Sequence, residues 1–302
     1  DMTADRRADY ASMLAESGDA VAAVELMEQA LELAPLWAAG WLRLGDWAEK
    51  AGDTAKAAQA WRRTLDLAPE DIFGAGLKLA VLGGDVPPPL PPSAYVEGLF
   101  DDYADRFDSA LVEKLQYTVP QKLAALIAAR TGHPAFRHTV DLGCGTGLTG
   151  GALRDIVEEM TGLDISENMV EIAHEKDLYE TLYVAEAADY LEDNDDGPFD
   201  IVTATDVLPY LGFLEEMFFG VADNLEAGGH FFFSSETLPD DVLDGRDFMV
   251  GPHQRFAHAE SYVRKVLDGA GFDVVEFREI TVRLEDGNPI AGHLVVARVS
   301  AK

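Results

Sequence analysis

The chain has 302 residues, 48% of them hydrophobic, a composition that buries a core and excludes global disorder, and a length that suggests about two domains. Acidic residues number 55 against 23 basic ones, and the resulting formal charge of −32 repels phosphate backbones and anionic lipid, which argues against nucleic-acid and membrane-surface roles. A single cysteine, Cys144, excludes a disulfide framework, and with no signal-peptide pattern or membrane-length apolar run a cytoplasmic location is expected.

The first 85 residues repeat with a period of 34: Gly18 recurs as Gly52, Ala23 as Ala57, Pro35 as Pro69, Met27 as Trp61 and Tyr10 as Leu44. Small Ala23 and Ala57 let two helices approach, Gly18 and Gly52 turn between them, and Pro35 and Pro69 end each pair. A third helix over 72–82 would cap the stack. With Trp41, Leu44 and Gly45 in the second copy, the segments resemble tetratricopeptide repeats. The resemblance implies either a peptide-recruiting surface or a structural cap that forms a homodimer. The helical module spans 1–84, and the proline-rich stretch 85–92 reads as a stiff, extended linker.

From residue 93 a second module begins, with helices expected over 93–130. Phe100, Tyr103 and Phe107 recur at helical spacing and give one face an aromatic stripe, followed by Asp108. Helix is also expected over 111–130, apart from a break around 117–120. Beyond residue 138, strands are expected at 138–142, 160–164, 181–185, 199–204 and 229–235. Helices are expected at 148–157, 167–175, 212–225 and 258–269. Two final strand-like runs, 273–284 and 292–299, flank the turn-rich string 285–289. Such alternation argues for a parallel sheet with helices on both faces.

The string Val140-Asp141-Leu142-Gly143-Cys144-Gly145-Thr146-Gly147 lies between the first strand and its helix. Glycines at alternate positions let the backbone turn tightly and approach a ligand without a Cβ in the way. Asp164 ends the next strand, where a carboxylate can accept hydrogen bonds from both ribose hydroxyls. Two fingerprints match. Residues 145–150 satisfy the G-x-G-x-x-G of dinucleotide binding. The fuller string, with an acid in the strand, resembles motif I of class I S-adenosylmethionine-dependent methyltransferases. The whole arrangement is similar to predicted bacterial methyltransferases with tetratricopeptide repeats, which implies an α/β, Rossmann-like methyltransferase sheet, mostly parallel with the last strand antiparallel, preceded by an all-α module and by lid helices over 93–130.

The resemblance implies roles residue by residue. Asp141 would brace the loop Gly143, Cys144, Gly145 and Gly147, and Asp164 would hold the ribose. Ile165 and Met169 would wall the adenine, and Glu186 with Ala187 would meet its amino group. Thr205 and Asp206 would lie beside the methionine end, Tyr103 and Phe107 in the lid, and Tyr210 toward the substrate. Cys144 contributes backbone rather than a nucleophilic sulfur.

The acceptor side has fewer signals. His253 and His258 titrate in the useful range for a general base, and Arg255 could grip a substrate carboxylate. Tyr210 is a further candidate for catalysis and substrate binding. The histidines form no metal-ligand pattern, and no Asn-Pro-Pro-Tyr-like signature follows strand four. The expected activity is methyl transfer to a small molecule. Alternatives are a protein or peptide methyltransferase recruiting through the repeats, and a cofactor-binding scaffold without turnover.

Overall fold

A computed structural model describes residues 2–83, 91–108, 111, 115–130 and 136–300. The chain divides into two compact units, Asp1–Tyr95 with Pro252–Gln254, and Val96–Gly251 with Arg255–Lys302. Most of the expected linker, 84–90, lies outside the described residues.

The first unit is helical: α1 (Met2–Glu16), α2 (Ala20–Leu33), α3 (Ala38–Lys50), α4 (Thr54–Leu67) and α5 (Ala75–Val81). Each helix packs on the next in the chain. The 34-residue period is visible in the caps. Asp19 accepts from the Ala22 N–H at the start of α2, and Asp53 accepts from the Lys56 N–H at the start of α4. Trp61 is wholly buried, and its indole N–H donates to Asp46 Oδ1 at 3.1 Å. It fits because residue 45 is glycine; a Cβ there would fall 2.3 Å from Trp61 Nε1. The last helix is shorter than the expected 72–82. The Asp71 carboxylate accepts from the N–H groups of Ala75 and Gly76 and fixes the helix start there.

Next in the chain come α6 (Ser93–Tyr103), a single turn at Ala104–Arg106, and α7 (Val119–Arg130). The expected helix over 111–116 falls partly outside the described residues. Then follow β1 (Phe136–Leu142), α8 (Leu148–Leu153), β2 (Val157–Asp164), α9 (Glu167–Glu175), β3 (Thr181–Val184), α10 (Ala187–Asp193) and β4 (Phe199–Ala204). The chain continues through α11 (Glu215–Asn224), β5 (Leu225–Glu236), α12 (Asp240–Leu243), β6 (Phe248–Val250), β7 (Phe256–His258), α13 (Glu260–Gly269), β8 (Phe272–Glu285) and β9 (Asn288–Val299).

These strands form one nine-stranded sheet. Strands β3-β2-β1-β4-β5 run parallel, and β9 lies antiparallel on β5 with β8 outside it. Alternation along β5 feeds two cores: Phe231 and Phe233 enter one, and Phe232 enters the other. The last two strands turn through Asp286 and Gly287, both with positive φ (49° and 77°), the two-residue hairpin that an Asp-Gly pair favours.

Boundaries moved where pairing outweighed local pattern. The helix expected over 148–157 stops at Leu153, because Val157 already pairs with Phe136 in the sheet. The helix expected from 258 starts at Glu260, because Phe256–His258 pairs with β6 and, at Ala257, with Glu236. Among the described residues, no helix is long and apolar enough to cross a membrane.

Candidate active site

Four neighbouring strands, β3, β2, β1 and β4, end side by side and carry the expected cofactor residues. Asp141 is wholly buried in β1. Its Oδ1 accepts from the Thr203 hydroxyl at 2.7 Å and its Oδ2 from the Tyr179 hydroxyl at 2.8 Å. Burial raises its pKa to about 6 despite these two donors. Tyr179 also accepts from the Gly150 N–H at 3.2 Å. Its ring occupies the space a side chain at residue 150 would need, since a Cβ there would lie 2.5 Å from it. The third glycine of the G-x-G-x-x-G pattern therefore serves tyrosine packing. Sequence reading missed Tyr179, which sits between α9 and β3 with no motif around it.

The loop after β1 turns through Gly143, Gly145 and Gly147, all with positive φ. The Cys144 N–H donates to Leu163 O at 2.8 Å, and burial pushes the Cys144 thiol well above its ordinary pKa, which leaves it inert. Asp164 is buried at the end of β2; it accepts from the Gly145 N–H at 2.9 Å and the Ser166 N–H at 3.0 Å. The Ile165 N–H also favours the carboxylate, and of its roughly four lone-pair sites about one remains for a ligand. Ile165 is half-buried, and Met169 is wholly buried inside α9. Glu186 and Ala187 stand half-buried at the start of α10, just past β3.

Residues of α6 and the turn after it converge on this loop. Thr146 donates to Asp108, whose other oxygen pairs with Lys176 at 2.6 Å. Asp101 accepts from the Ser166 hydroxyl, and its carbonyl accepts from the Asn168 side chain at 3.2 Å. The Phe107 ring is 3.6 Å from where a Cβ on Gly145 would sit, and Tyr103 packs edge-on against Phe107. Lys176 did not stand out in the sequence.

At the end of β4, Thr205 is buried and shares a 2.7 Å hydrogen bond with Thr149. Asp206 takes a left-handed backbone (φ 61°), held by its N–H to Ser234 Oγ at 3.0 Å. Its Oδ1 accepts from Arg283 at 3.2 Å. Arg283, only 1% exposed, also pairs with Glu236 (2.6 Å) and Glu285 (3.4 Å). Arg255 shares the same Glu236 oxygen at 3.2 Å and lies over the Tyr210 ring, 5.5 Å from its centre. Burial works against the Arg255 charge, but the surrounding acids outweigh it and hold the guanidinium protonated. Arg255, Asp206, Glu285 and Tyr210 line a cavity of about 230 Å³ with Phe100, Tyr103 and Phe107 of the lid.

The two histidines proposed as bases lie elsewhere. His258 is wholly buried, and its Nε2–H donates to the carbonyls of Leu211 (2.8 Å) and Gly212 (3.2 Å). Burial lowers its pKa to about 4, so it is a neutral strut under the loop after β4. His253 is exposed and falls with the helical unit, whereas Arg255 falls with the sheet. Among the described residues, no group of three His, Cys, Asp or Glu side chains could hold a metal ion.

Sheet order, the glycine loop and the buried acid that ends β2 mark a class I S-adenosylmethionine-dependent methyltransferase domain. The chain belongs to the methyltransferase-domain family, whose model matches residues 111–277, more than half of its length. It is 28% identical over 102 residues to the ubiquinone biosynthesis O-methyltransferase of Shewanella pealeana, covering 33% of this chain and 43% of that one. The Coxiella burnetii protein of the same name is 30% identical over 101 residues, with the same coverage. The chain thus spans less than half the length of these curated relatives. Among solved structures, the magnesium protoporphyrin IX methyltransferase of Synechocystis with bound S-adenosylmethionine aligns with a TM-score of 0.53 and 20% identity. That alignment covers 69% of this chain and 97% of that one. The cyclase SpnF aligns with a TM-score of 0.58 and 16% identity over 71% of this chain and 98% of that one. One fold thus serves differently named reactions, and the argument for chemistry rests on the site.

Proposed function

We propose that the chain transfers a methyl group from S-adenosylmethionine to a small-molecule acceptor. The observation that carries this reading is the cavity beside Asp206, which is lined by lid aromatics and charged groups and by none of the glycine-loop residues. It provides an acceptor pocket next to, and separate from, the nucleoside site. The residues fit the donor: Asp164 would accept from the ribose, Gly145 presents no side chain to it, and Glu186, half-buried at the start of α10, would accept from an adenine amino group. S-adenosylmethionine brings an already activated methyl group on a sulfonium, so no covalent nucleophile is required of the protein. The chain's own contribution is to orient the acceptor, exclude water through Phe100, Tyr103 and Phe107, and hold its proton.

The relatives named for ubiquinone biosynthesis and magnesium protoporphyrin IX support a small acceptor in this chain. The equivalent caps at Asp19 and Asp53 and the Gly45–Trp61 fit support the tetratricopeptide reading of the helical unit. Recruitment of a polypeptide by that unit is the second reading, favoured by Tyr10 and Met13, both more than 60% exposed on α1.

Calorimetric titration with S-adenosylmethionine, S-adenosylhomocysteine and NAD tests the donor. Both sulfur nucleosides bind, NAD does not, and Asp164→Ala weakens binding about ten- to a hundred-fold, as expected for lost hydrogen bonds to a charged group. Binding of NAD in their place would overturn the reading.

A further inference from the structure

The polar end of the acceptor cavity has a composition that selects one kind of group. Arg255 donates through Nη1 to Glu236, and among the described residues the rest of its fork donates to no other side chain. Asp206 lines the same cavity; Arg283 occupies its Oδ1, and its Oδ2 accepts from none of the described residues. Donor and acceptor capacity are therefore left over side by side.

Charge narrows the choice. Asp206 and Arg255 line the same end of the cavity with opposite charges. An incoming carboxylate would lie against the Asp206 carboxylate, and an incoming ammonium would meet the Arg255 guanidinium. A neutral hydroxyl satisfies both, since it accepts from Arg255 and donates to Asp206.

The walls narrow it further. Phe100 meets Tyr210 edge-on with centroids 5.1 Å apart, and it meets Phe107 the same way at 6.3 Å. Tyr103 completes an aromatic surface, and Leu99, Leu111 and Leu115 fill the rest. Such walls suit a flat ring. A volume of about 230 Å³ exceeds the roughly 150 Å³ that admits benzene, which leaves room for a second ring.

We propose, resting on the methyltransferase reading above, that the acceptor is a neutral aromatic hydroxyl compound of one or two rings, its hydroxyl held between Arg255 and Asp206. Asp206 Oδ2 receives the hydroxyl proton. The acceptor oxygen's electron pair forms the new bond to the methyl carbon, whose former bonding pair remains on the donor sulfur as a neutral thioether. Burial raises the Asp206 pKa, against the lowering field of Arg255, and makes its carboxylate a better proton acceptor.

The test is calorimetry on the full chain saturated with S-adenosylhomocysteine, using 2-naphthol, 2-naphthoate and 2-naphthylmethylamine as ring-matched probes. Naphthol binds at least about ten-fold tighter than either charged probe, and Arg255→Lys and Asp206→Asn each weaken it about ten-fold. Arg255→Lys keeps the S-adenosylhomocysteine affinity of the wild type, and both variants keep its cooperative thermal unfolding, which verifies that they fold. Preference for naphthoate would make Arg255 a carboxylate clamp, preference for the amine would make the acids dominant, and no probe binding would empty the pocket of this role; each overturns the proposal. Failure of S-adenosylhomocysteine itself to bind would overturn the methyltransferase reading, and a bound nucleoside with no naphthol preference overturns the hydroxyl reading alone.

Discussion

Single buried residues set opposite pH dependences in this domain. Asp141 has its folded pKa raised from 3.8 to about 6, so the native state holds a proton there that the unfolded chain has lost. Its stabilising contribution is full below pH 3.8 and is lost as pH rises through 6, roughly 3 kcal/mol in all. His258 is lowered from 6.5 to about 4, so the unfolded chain binds the extra proton. Its contribution is full above pH 6.5 and is lost as pH falls through 4, again roughly 3 kcal/mol. Between pH 4 and 6 the two nearly cancel. Asp141→Asn therefore leaves a stability that rises with pH across that window relative to wild type, and His258→Gln one that falls. Urea unfolding at several pH values reads both slopes; parallel curves for the two variants would refute the argument. Arg283 is a different case. Arg283→Met strands three carboxylates around an apolar side chain, and equilibrium unfolding should register a loss of about 3–5 kcal/mol.

At the scale of elements, α6 and the turn after it are attached to the cofactor loop by side chains rather than by a sheet or a large apolar contact. No residue of α6 is buried, although the helix carries the aromatic stripe. Its anchors are Asp101 on Ser166 and Asn168, and Asp108 on Thr146 and Lys176. Part-exposed polar anchors of this kind are individually weak and suit a segment that opens and closes. Replacing Asp101 and Asp108 together by alanine should speed S-adenosylhomocysteine release about ten-fold and raise amide exchange over 93–108, with β1 and β2 as protected as before. Unchanged release would mean the lid closes without these anchors. The same scale shows what the sequence reveals. The glycine loop and the turn-rich string before the last strand are local signals; the loop lies between β1 and α8 as its residues suggest, while β9 starts at Asn288, earlier than the expected 292. Arg283 was illegible because β8 bulges between Thr281 and Arg283, so Val282 and Arg283 are buried in succession. Strict alternation, with Val282 inward, would have turned the arginine to solvent. His258 misled in the opposite sense. Its titrating side chain, beside Arg255 in sequence, belongs to a short strand whose pairing no local pattern announced.

For the whole molecule the governing quantity is the charge of −32. The surface ion pairs, such as Arg264 with Glu260 and Lys56 with Glu28, use cations that are outnumbered by acids more than two to one. The field that remains is negative at long range, and it acts on whatever approaches the domain. S-adenosylmethionine carries one net positive charge through its sulfonium, and S-adenosylhomocysteine carries none. The donor is therefore steered inward and the product is not, a difference that favours exchange of spent for fresh cofactor. Salt shortens the range of that field to about 10 Å at 0.1 M. Stopped-flow association should slow about three-fold for S-adenosylmethionine as sodium chloride is raised from low to physiological strength, with the rate for S-adenosylhomocysteine unchanged. Equal salt dependence for the two ligands would mean that the acidic surface serves solubility alone and that the lid, acting identically on both, sets the rate of entry.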